Sequence, residues 1–402
     1  MISTPFTIDV VHGIATLEAT PRGIAPHRLP VWVRQQFPDP QLLAAEAQPS
    51  GVRLTFATAS SRIELVTHPT RVAYRGAKRS RGRIDVVVDG VLHTRDELTG
   101  GDRLEIDLQT GATSAHSGTA HTTTVTGLGS NMKRIQMWLP HNEALELVEL
   151  RTDAPIVADH RSRTLWVHHG SSISHGSNAL APTEIWPVVA AQTASDVELR
   201  NLGLGGSALV DPFLARVIRD APADLISVKL GINVVNYDSM RLRAFVPAIH
   251  GFLDTIRDGH PDTPLLLISP IFCGIHENTP GPGSIDTDTL GTDDVQFITT
   301  ETPGNTAQGR LTLEVIRDAL RSVVEHRADD PNLHYLDGLE LYGRADADAL
   351  PLPDGLHPSA AAHSLIGHRF AERAFAPGGP FGASRSSGEN SGEPSSTPVR
   401  RT

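Results

Sequence analysis

The sequence predicts an α/β fold in two parts: an all-β sandwich of jelly-roll type over residues 1–160, then a domain built on a parallel sheet over residues 161–376. Three observations carry this reading. Short runs with a two-residue apolar period fill the chain up to about Ala158. After Arg163 apolar strands alternate with helical segments, the pattern of a parallel sheet covered on both faces. Residues 377–402 are Gly, Ser, Pro and Arg with little apolar content, too little to offset their ordering entropy, and read as a disordered tail without chemistry.

In the first part Val52 to Phe56, Arg62 to Val66, Arg103 to Leu108 and Arg134 to Leu139 alternate as half-buried strands. Ile84 to Val88 alternates less strictly, but its β-branched content favours a strand. Asp89-Gly90 follows it with Val91-Leu92 beyond, which reads as a hairpin. No helical stretch stands out there. In the second part Leu165 to His168 is a strand, and Thr183 caps a helix running through Val188, Val189 and Ala190. A strand about Val197 to Leu204 follows, then a helix opened by Asp211 with Pro212 in its first turn. The series continues with a strand at Leu225 to Leu230, a helix through Arg241 to Ile256 and a strand at Leu265 to Ile268. A helix about Leu311 to His326, a strand at Leu333 to Leu336 and a helix about Ala360 to Ala374 complete it. Between Gly274 and Gly304 lies a stretch rich in Gly, Pro, Thr and Asp without a period, which reads either as a functional wall or lid or as a disordered segment.

Composition narrows the function. A chain of 402 residues can bury two cores. Its net charge of −11, with scattered basic residues that are nearly all Arg, argues against nucleic acid as a partner, since phosphate backbones are held by clustered cations. No run approaches the ~20 apolar residues that a membrane-spanning helix needs, and the N-terminus has neither a basic head nor a long apolar run, so a cytoplasmic protein with no membrane partner is expected. Cys273 is the lone cysteine, which excludes an intrachain disulfide, and after the largely apolar run Leu265 to Phe272 it reads as core filling. Trp32, Tyr74 and Trp138, the few large aromatic side chains of the first part, read as core rather than as platforms for sugars.

In a parallel α/β sheet ligands bind beyond the carboxyl ends of the strands. Four such positions carry suggestive groups here. Gly170-Ser171-Ser172-Ile173-Ser174-His175-Gly176 presents a hydroxyl in a small-residue turn, and Asn201-Leu202-Gly203-Leu204-Gly205-Gly206 lets backbone N–H groups approach a ligand. Gly231-Ile232-Asn233 offers a side-chain amide, and Asp354-Gly355-Leu356-His357-Pro358 sets a carboxylate three residues ahead of an imidazole. A serine hydroxyl becomes a nucleophile when a base takes its proton, and an imidazole with a pKa near ~6.5 suits neutral pH. The imidazole in turn needs a carboxylate to fix its tautomer and to stabilise the imidazolium. Ser172, His357 and Asp354 are therefore the candidate nucleophile, base and orienting acid. The Ser172 N–H, the Gly206 N–H and the Asn233 side chain are candidate donors to an oxyanion. The scheme calls for no cofactor and no metal. Its partners would be a small-molecule acyl donor and a hydroxylated acceptor.

These four blocks resemble those of the SGNH hydrolases, the GDSL lipase and esterase family, named for a Ser, a Gly, an Asn and a His. Ser172, Gly206, Asn233 and His357 stand in the family's order, and Asp354 matches its acidic partner. The resemblance spans about Leu165 to Phe375 and implies a flavodoxin-like three-layer fold with metal-free hydrolysis or transfer of acyl groups. The family's first block usually reads Gly-Asp-Ser where this chain has Gly170-Ser171-Ser172, so Ser171 is a second candidate nucleophile. The register with Ile173 and with Ser174-His175-Gly176 favours Ser172. A sandwich ahead of such a domain is similar to the layout of some carbohydrate esterases and of bacterial acyltransferases of secondary metabolism, among them a salicylyl transferase. The second setting fits an Arg-rich chain without an export signal better.

Two other classes compete with this reading. A catalytically silent carbohydrate-binding protein is the alternative, and intact Ser172, Asn233, Asp354 and His357 argue against it. His168, His169 and His175 raise a metal site, but adjacent strand residues point to opposite faces, so His168 and His169 would not readily share one ion.

Overall fold

The computed structural model describes residues 1–75, 79–107, 110–292 and 295–382. Leu108, placed at the end of a strand by its sequence, lies outside the described residues, as do residues 383–402 of the expected tail.

Two mostly antiparallel sheets make the first domain. The eight-stranded one is built around Ile63–Tyr74 and Ala144–Thr152, and the six-stranded one around Arg53–Thr58, Lys133–Trp138 and Arg83–Val88. Alternation does the work: Ile63, Leu65, Leu147 and Leu150 from one sheet meet Leu54, Phe56, Ile135 and Met137 from the other in one buried cluster, as in a sandwich. The hairpin forms with Val88 opposite Val91. Asp89 and Gly90 both take positive φ, 49° and 86°, the backbone that lets a two-residue turn follow the strand twist.

The first domain also holds two helices that its sequence does not announce, α1 (Val31–Gln36) and α2 (Pro40–Ala47). One or two turns are too short to display a helical period. The signal that was available is Asp39-Pro40: the Asp39 carboxylate accepts from Leu42 N at 2.8 Å, and proline stands at the first helical position.

The second domain has five parallel strands in the order Val197–Gly203, Thr164–Gly170, Leu225–Lys229, Leu265–Ile268, Leu333–Leu336. This is the 2-1-3-4-5 order of flavodoxin-like folds. Its helices are α3 (Ser172–His175), α4 (Trp186–Ala194), α5 (Pro212–Arg219), α6 (Ile232–Asn236), α7 (Leu242–Arg257), α8 (Leu313–Glu325), α9 (Arg344–Ala349) and α10 (Ala360–Phe370). They cover both faces. Trp166 packs on Trp186 of α4 and Phe370 of α10, while His169, on the opposite side of the same strand, stacks on Phe252 of α7.

Several expectations need correction. Thr183 lies in a short 3-10 turn, and its hydroxyl binds Asp85 instead of capping α4, which starts after Ile185. The short helices α6 and α9 were not foreseen. The stretch from Gly274 to Gly304 is neither wholly loop nor unstructured, since Gly283–Ile285 and Phe297–Thr299 pair as an antiparallel ribbon. Phe381, assigned to the tail, is buried against Phe370 and Phe375. Cys273 and Trp138 are buried, as expected of core residues.

The domains share a core. Leu29, Val33, Leu42, Ala45, Val87 and Trp138 of the first are buried in the same cluster as the sheet of the second. Arg28 is fully buried at this seam and donates to Ala45 O in α2 and, at 3.2 and 2.6 Å, to Asn201 O and Gly203 O. Burial pushes its guanidinium down to about 10, still charged at neutral pH. Removing it would strand three carbonyls away from water. Arg28→Leu is therefore expected to cost about 2–4 kcal/mol of unfolding free energy, read by urea denaturation; an unchanged midpoint would contradict this account of the seam.

Candidate active site

The strand Thr164–Gly170 delivers Ser172 through a tight turn. A side chain at Gly170 would strike Ser174 Oγ at 2.4 Å, so the chain can bend directly into α3 there. Ser171 is the cap of α3, its Oγ accepting from Ile173 N at 3.3 Å. That contact engages the Ser171 hydroxyl. The Ser172 hydroxyl instead lies 2.9 Å from His357 Nε2.

His357 comes from the loop after α9. Its Nδ1 stands 2.7 Å from Asp354 Oδ2, and Asp354 Oδ1 accepts from the backbone N–H groups of Leu356 and His357 at 3.0 and 2.7 Å. Because an ionised carboxylate only accepts, the proton of the neutral imidazole sits on Nδ1 and leaves Nε2 as the acceptor for the serine O–H. Burial pushes the Asp354 carboxyl up, but its bonds with His357 and Leu356 outweigh burial and hold it below the usual carboxylate range. Gly355 takes φ +79°, the left-handed conformation glycine adopts without strain.

Two neighbours that sequence reasoning missed complete this corner. Asn178 Nδ2 donates to Asp354 Oδ2 at 3.1 Å. Phe297, from the ribbon, sets its ring edge-on to His357 with centroids 5.5 Å apart and donates its N–H to Asp354 O at 2.8 Å. The Gly274 to Gly304 stretch thus forms a wall of the site. Asn178 had one local sign, its place in the Gly176-Ser177-Asn178 turn with φ 67°, which asparagine tolerates better than most residues. Phe297 had none.

The three candidate donors come from three loops. Ser172 N–H is in the first turn of α3, where no intrahelical acceptor exists. Gly206 is the third residue of a turn closed by Ser207 N–H on Leu204 O at 3.1 Å and takes φ +70°. Asn233, in α6, accepts from Ala208 N–H through Oδ1 at 3.2 Å. Since an amide NH2 only donates, the atom facing Ala208 N–H is Oδ1, which fixes which way the amide points and turns Nδ2 away from Ala208. None of the three donors has a protein acceptor among the described residues.

The histidines near Ser172 have other partners. His168 lies between Ser227 Oγ and Ser174 Oγ at 2.7 and 2.8 Å, and His169 binds Leu202 O at 2.8 Å from the other face. His175 accepts from Gly205 N–H through Nδ1 at 3.1 Å and donates through Nε2 to His141 O at 2.7 Å. Burial holds all three imidazoles below their ordinary range. Among the described residues no group of three or more His, Cys, Asp and Glu is placed to hold a metal ion, and no helix is long and apolar enough to cross a membrane.

Beside Gly206 opens a cavity of about 240 Å³ walled by Phe37 and Leu42 of the first domain and by Leu209, Phe213 and Tyr237 of the second. Gly205, which precedes Gly206, lies against Ser172: a Cβ there would stand 3.7 Å from Ser172 Cβ.

Residues 169–365 match the GDSL-like lipase/acylhydrolase family, and residues 10–148 match the SsfX3 N-terminal domain. The chain carries a GDSL-like lipase/acylhydrolase domain behind an SsfX3-type N-terminal domain. It is accordingly an enzyme of the acylesterase or acyltransferase class. Among solved structures, the salicylyl-acyltransferase SsfX3 from a tetracycline biosynthetic pathway is similar at 26% identity and a TM-score of 0.74, over 90% of this chain and 92% of that one. A Bacteroides ovatus protein described as a GDSL-like lipase is 20% identical with a TM-score of 0.62, over 90% and 93%. A family two carbohydrate esterase from Clostridium thermocellum shares the fold at 13% identity and a TM-score of 0.54, over 80% and 91%. Among curated proteins none matches the chain.

The rim of the GDSL-like domain's cavity holds one carboxyl with an unusual balance. Burial pushes Asp211, which stands at the N-cap position of α5 but accepts from Leu209 N–H instead of capping the helix with its side chain, up to about 6. Between roughly pH 4 and 6 the folded chain then keeps a proton that the unfolded chain releases, so stability falls as pH rises through that window. Asp211→Asn, which keeps an oxygen for the Leu209 N–H, is expected to lose that slope in urea unfolding across the same window; an Asp211→Asn slope equal to the parent's would contradict the assignment.

Proposed function

We propose that Ser172, His357 and Asp354 act as a catalytic triad that takes an acyl group from an ester or thioester donor and passes it to water or to a sugar-like hydroxyl of a small molecule. The observation that carries this is the unbroken chain Ser172 Oγ, His357 Nε2, His357 Nδ1, Asp354 Oδ2, with contacts of 2.9 and 2.7 Å. In this reading residues 161–376 are catalytic and residues 1–160 accessory.

The chemistry proceeds in two halves. Ser172 Oγ attacks the acyl carbonyl as its proton moves to His357 Nε2, and Asp354 stabilises the imidazolium. The carbonyl oxygen becomes an oxyanion and is met by Ser172 N–H, Gly206 N–H and Asn233 Nδ2. Collapse breaks the bond to the alcohol or thiol, which leaves with the proton from His357, and an acyl-serine remains. The acceptor hydroxyl then gives its proton to His357, attacks the acyl-serine and departs with the acyl group as Ser172 recovers its proton.

Water and alcohols enter the same step, so the outcome depends on how the pocket excludes water. Similarity across both domains to a salicylyl-acyltransferase from a tetracycline biosynthetic pathway supports transfer of an aryl acyl group in secondary metabolism. A silent carbohydrate-binding protein is the competing reading, disfavoured by the aligned triad.

A fluorophosphonate is expected to label Ser172 covalently, seen as one modified peptide by mass spectrometry; an unlabelled serine would favour the silent binder. Ser172→Ala and His357→Ala should each lower turnover by at least about a thousandfold while the chain stays folded. With an aryl thioester donor, a glycosylated acceptor should yield acylated product; free acid alone, with and without acceptor, would leave hydrolysis as the activity.

A further inference from the structure

One side chain of the first domain reaches the turn that carries an oxyanion donor. Gln41 Nε2 donates to Gly205 O at 2.8 Å. In a trans peptide the C=O and the N–H of one unit point in opposite directions. The bond that draws Gly205 O toward α2 therefore turns Gly206 N–H the other way, toward the site. This peptide needs such an anchor, because it joins two glycines and glycine backbones rotate with little steric resistance. The peptide before it is held separately, by Gly205 N–H on His175 Nδ1.

A second observation points the same way. A Cβ built at Gly206 would lie 3.0 Å from Gln41 Nε2, 3.2 Å from Gln41 Cγ and 3.1 Å from Tyr237 Oη. The glutamine side chain thus lies close against the residue whose N–H matters. Its own base is rigid. Gln41 is the second residue of α2, capped by Asp39, and Leu42 and Ala45 on that helix are buried in the core common to both domains. Arg28 binds Ala45 O at one end and Gly203 O, two residues before Gly205, at the other.

We propose that Gln41 is a positioning residue for acyl transfer, by which the first domain holds the Gly205–Gly206 peptide with its N–H aimed at the developing oxyanion. This rests on the triad reading above. Losing an oxyanion donor outright costs on the order of a hundred- to a thousandfold in rate, and freeing its anchor should cost less, about tenfold.

The test compares Gln41→Met, which keeps the shape and removes the donor, with Gln41→Glu, which sets an acceptor against the carbonyl. Turnover is normalised to sites titrated by fluorophosphonate, so that unfolded chain does not count. The kcat is expected to fall about tenfold in Gln41→Met and further in Gln41→Glu, with KM for the donor within about twofold. The rate of fluorophosphonate labelling should fall in the same order, because the phosphonyl oxygen uses the same donors. A merely structural contact would not rank Met above Glu in kcat at constant KM. Parent kcat in both variants, or a change in KM alone, overturns the positioning role. Ser172→Ala runs beside them, normalised to folded protein because it lacks the titrated serine: if it keeps the parent's turnover the triad reading fails, and if it is inactive while both Gln41 variants turn over normally, the Gln41 proposal alone fails.

Discussion

The register of the parallel sheet is the constraint on which the site depends. Gly170 pairs with Gly203, and His169 with Val228, so three strands end at one edge and release their loops side by side. The strand order places the one leading to Ser172 between the strands leading to Gly206 and to Asn233. A hydroxyl flanked by two donors follows from that order alone. Close approach sharpens it: a Cβ at Gly203 would stand 2.5 Å from His175 N, so α3 settles onto the neighbouring strand only because no side chain intervenes.

The imidazole has the longer route. His357 belongs to a loop beyond the edge strand Leu333–Leu336, and a ring that must face Ser172 needs support from several sides. Asp354 binds its Nδ1 and its backbone, and Asn178, six residues after Ser172, holds the same carboxylate. Phe297 closes the remaining side with an apolar edge. Each contact removes a rotation that the free loop would have, which is how a base becomes pre-organised.

The fold was legible where periodicity and punctuation agree. Leu265–Ile268 and Leu333–Leu336 were placed to the residue, because short apolar runs bounded by turn residues leave few alternatives. The helices α1 and α2 escaped notice because their residues answer to a neighbouring domain: Val33 and Leu42 are buried in a core most of whose members come from the second domain. The site shows the same divide. Ser172, Gly206, Asn233, Asp354 and His357 stood out since each follows a strand or sits beside its chemical partner. Asn178 and Gln41 did not, because their partners lie 176 and 164 residues away in sequence, and nothing local to an amide side chain tells which distant atom it will meet.

The order of parts along the chain has one more consequence. Ser172 precedes His357 by 185 residues. At about 5–20 residues per second, a ribosome delivers the imidazole roughly ten to forty seconds after the hydroxyl. Throughout that interval the Ser172 hydroxyl has no His357 imidazole to take its hydrogen bond. The pair that links the two ends of this domain thus exists only once His357 has been made.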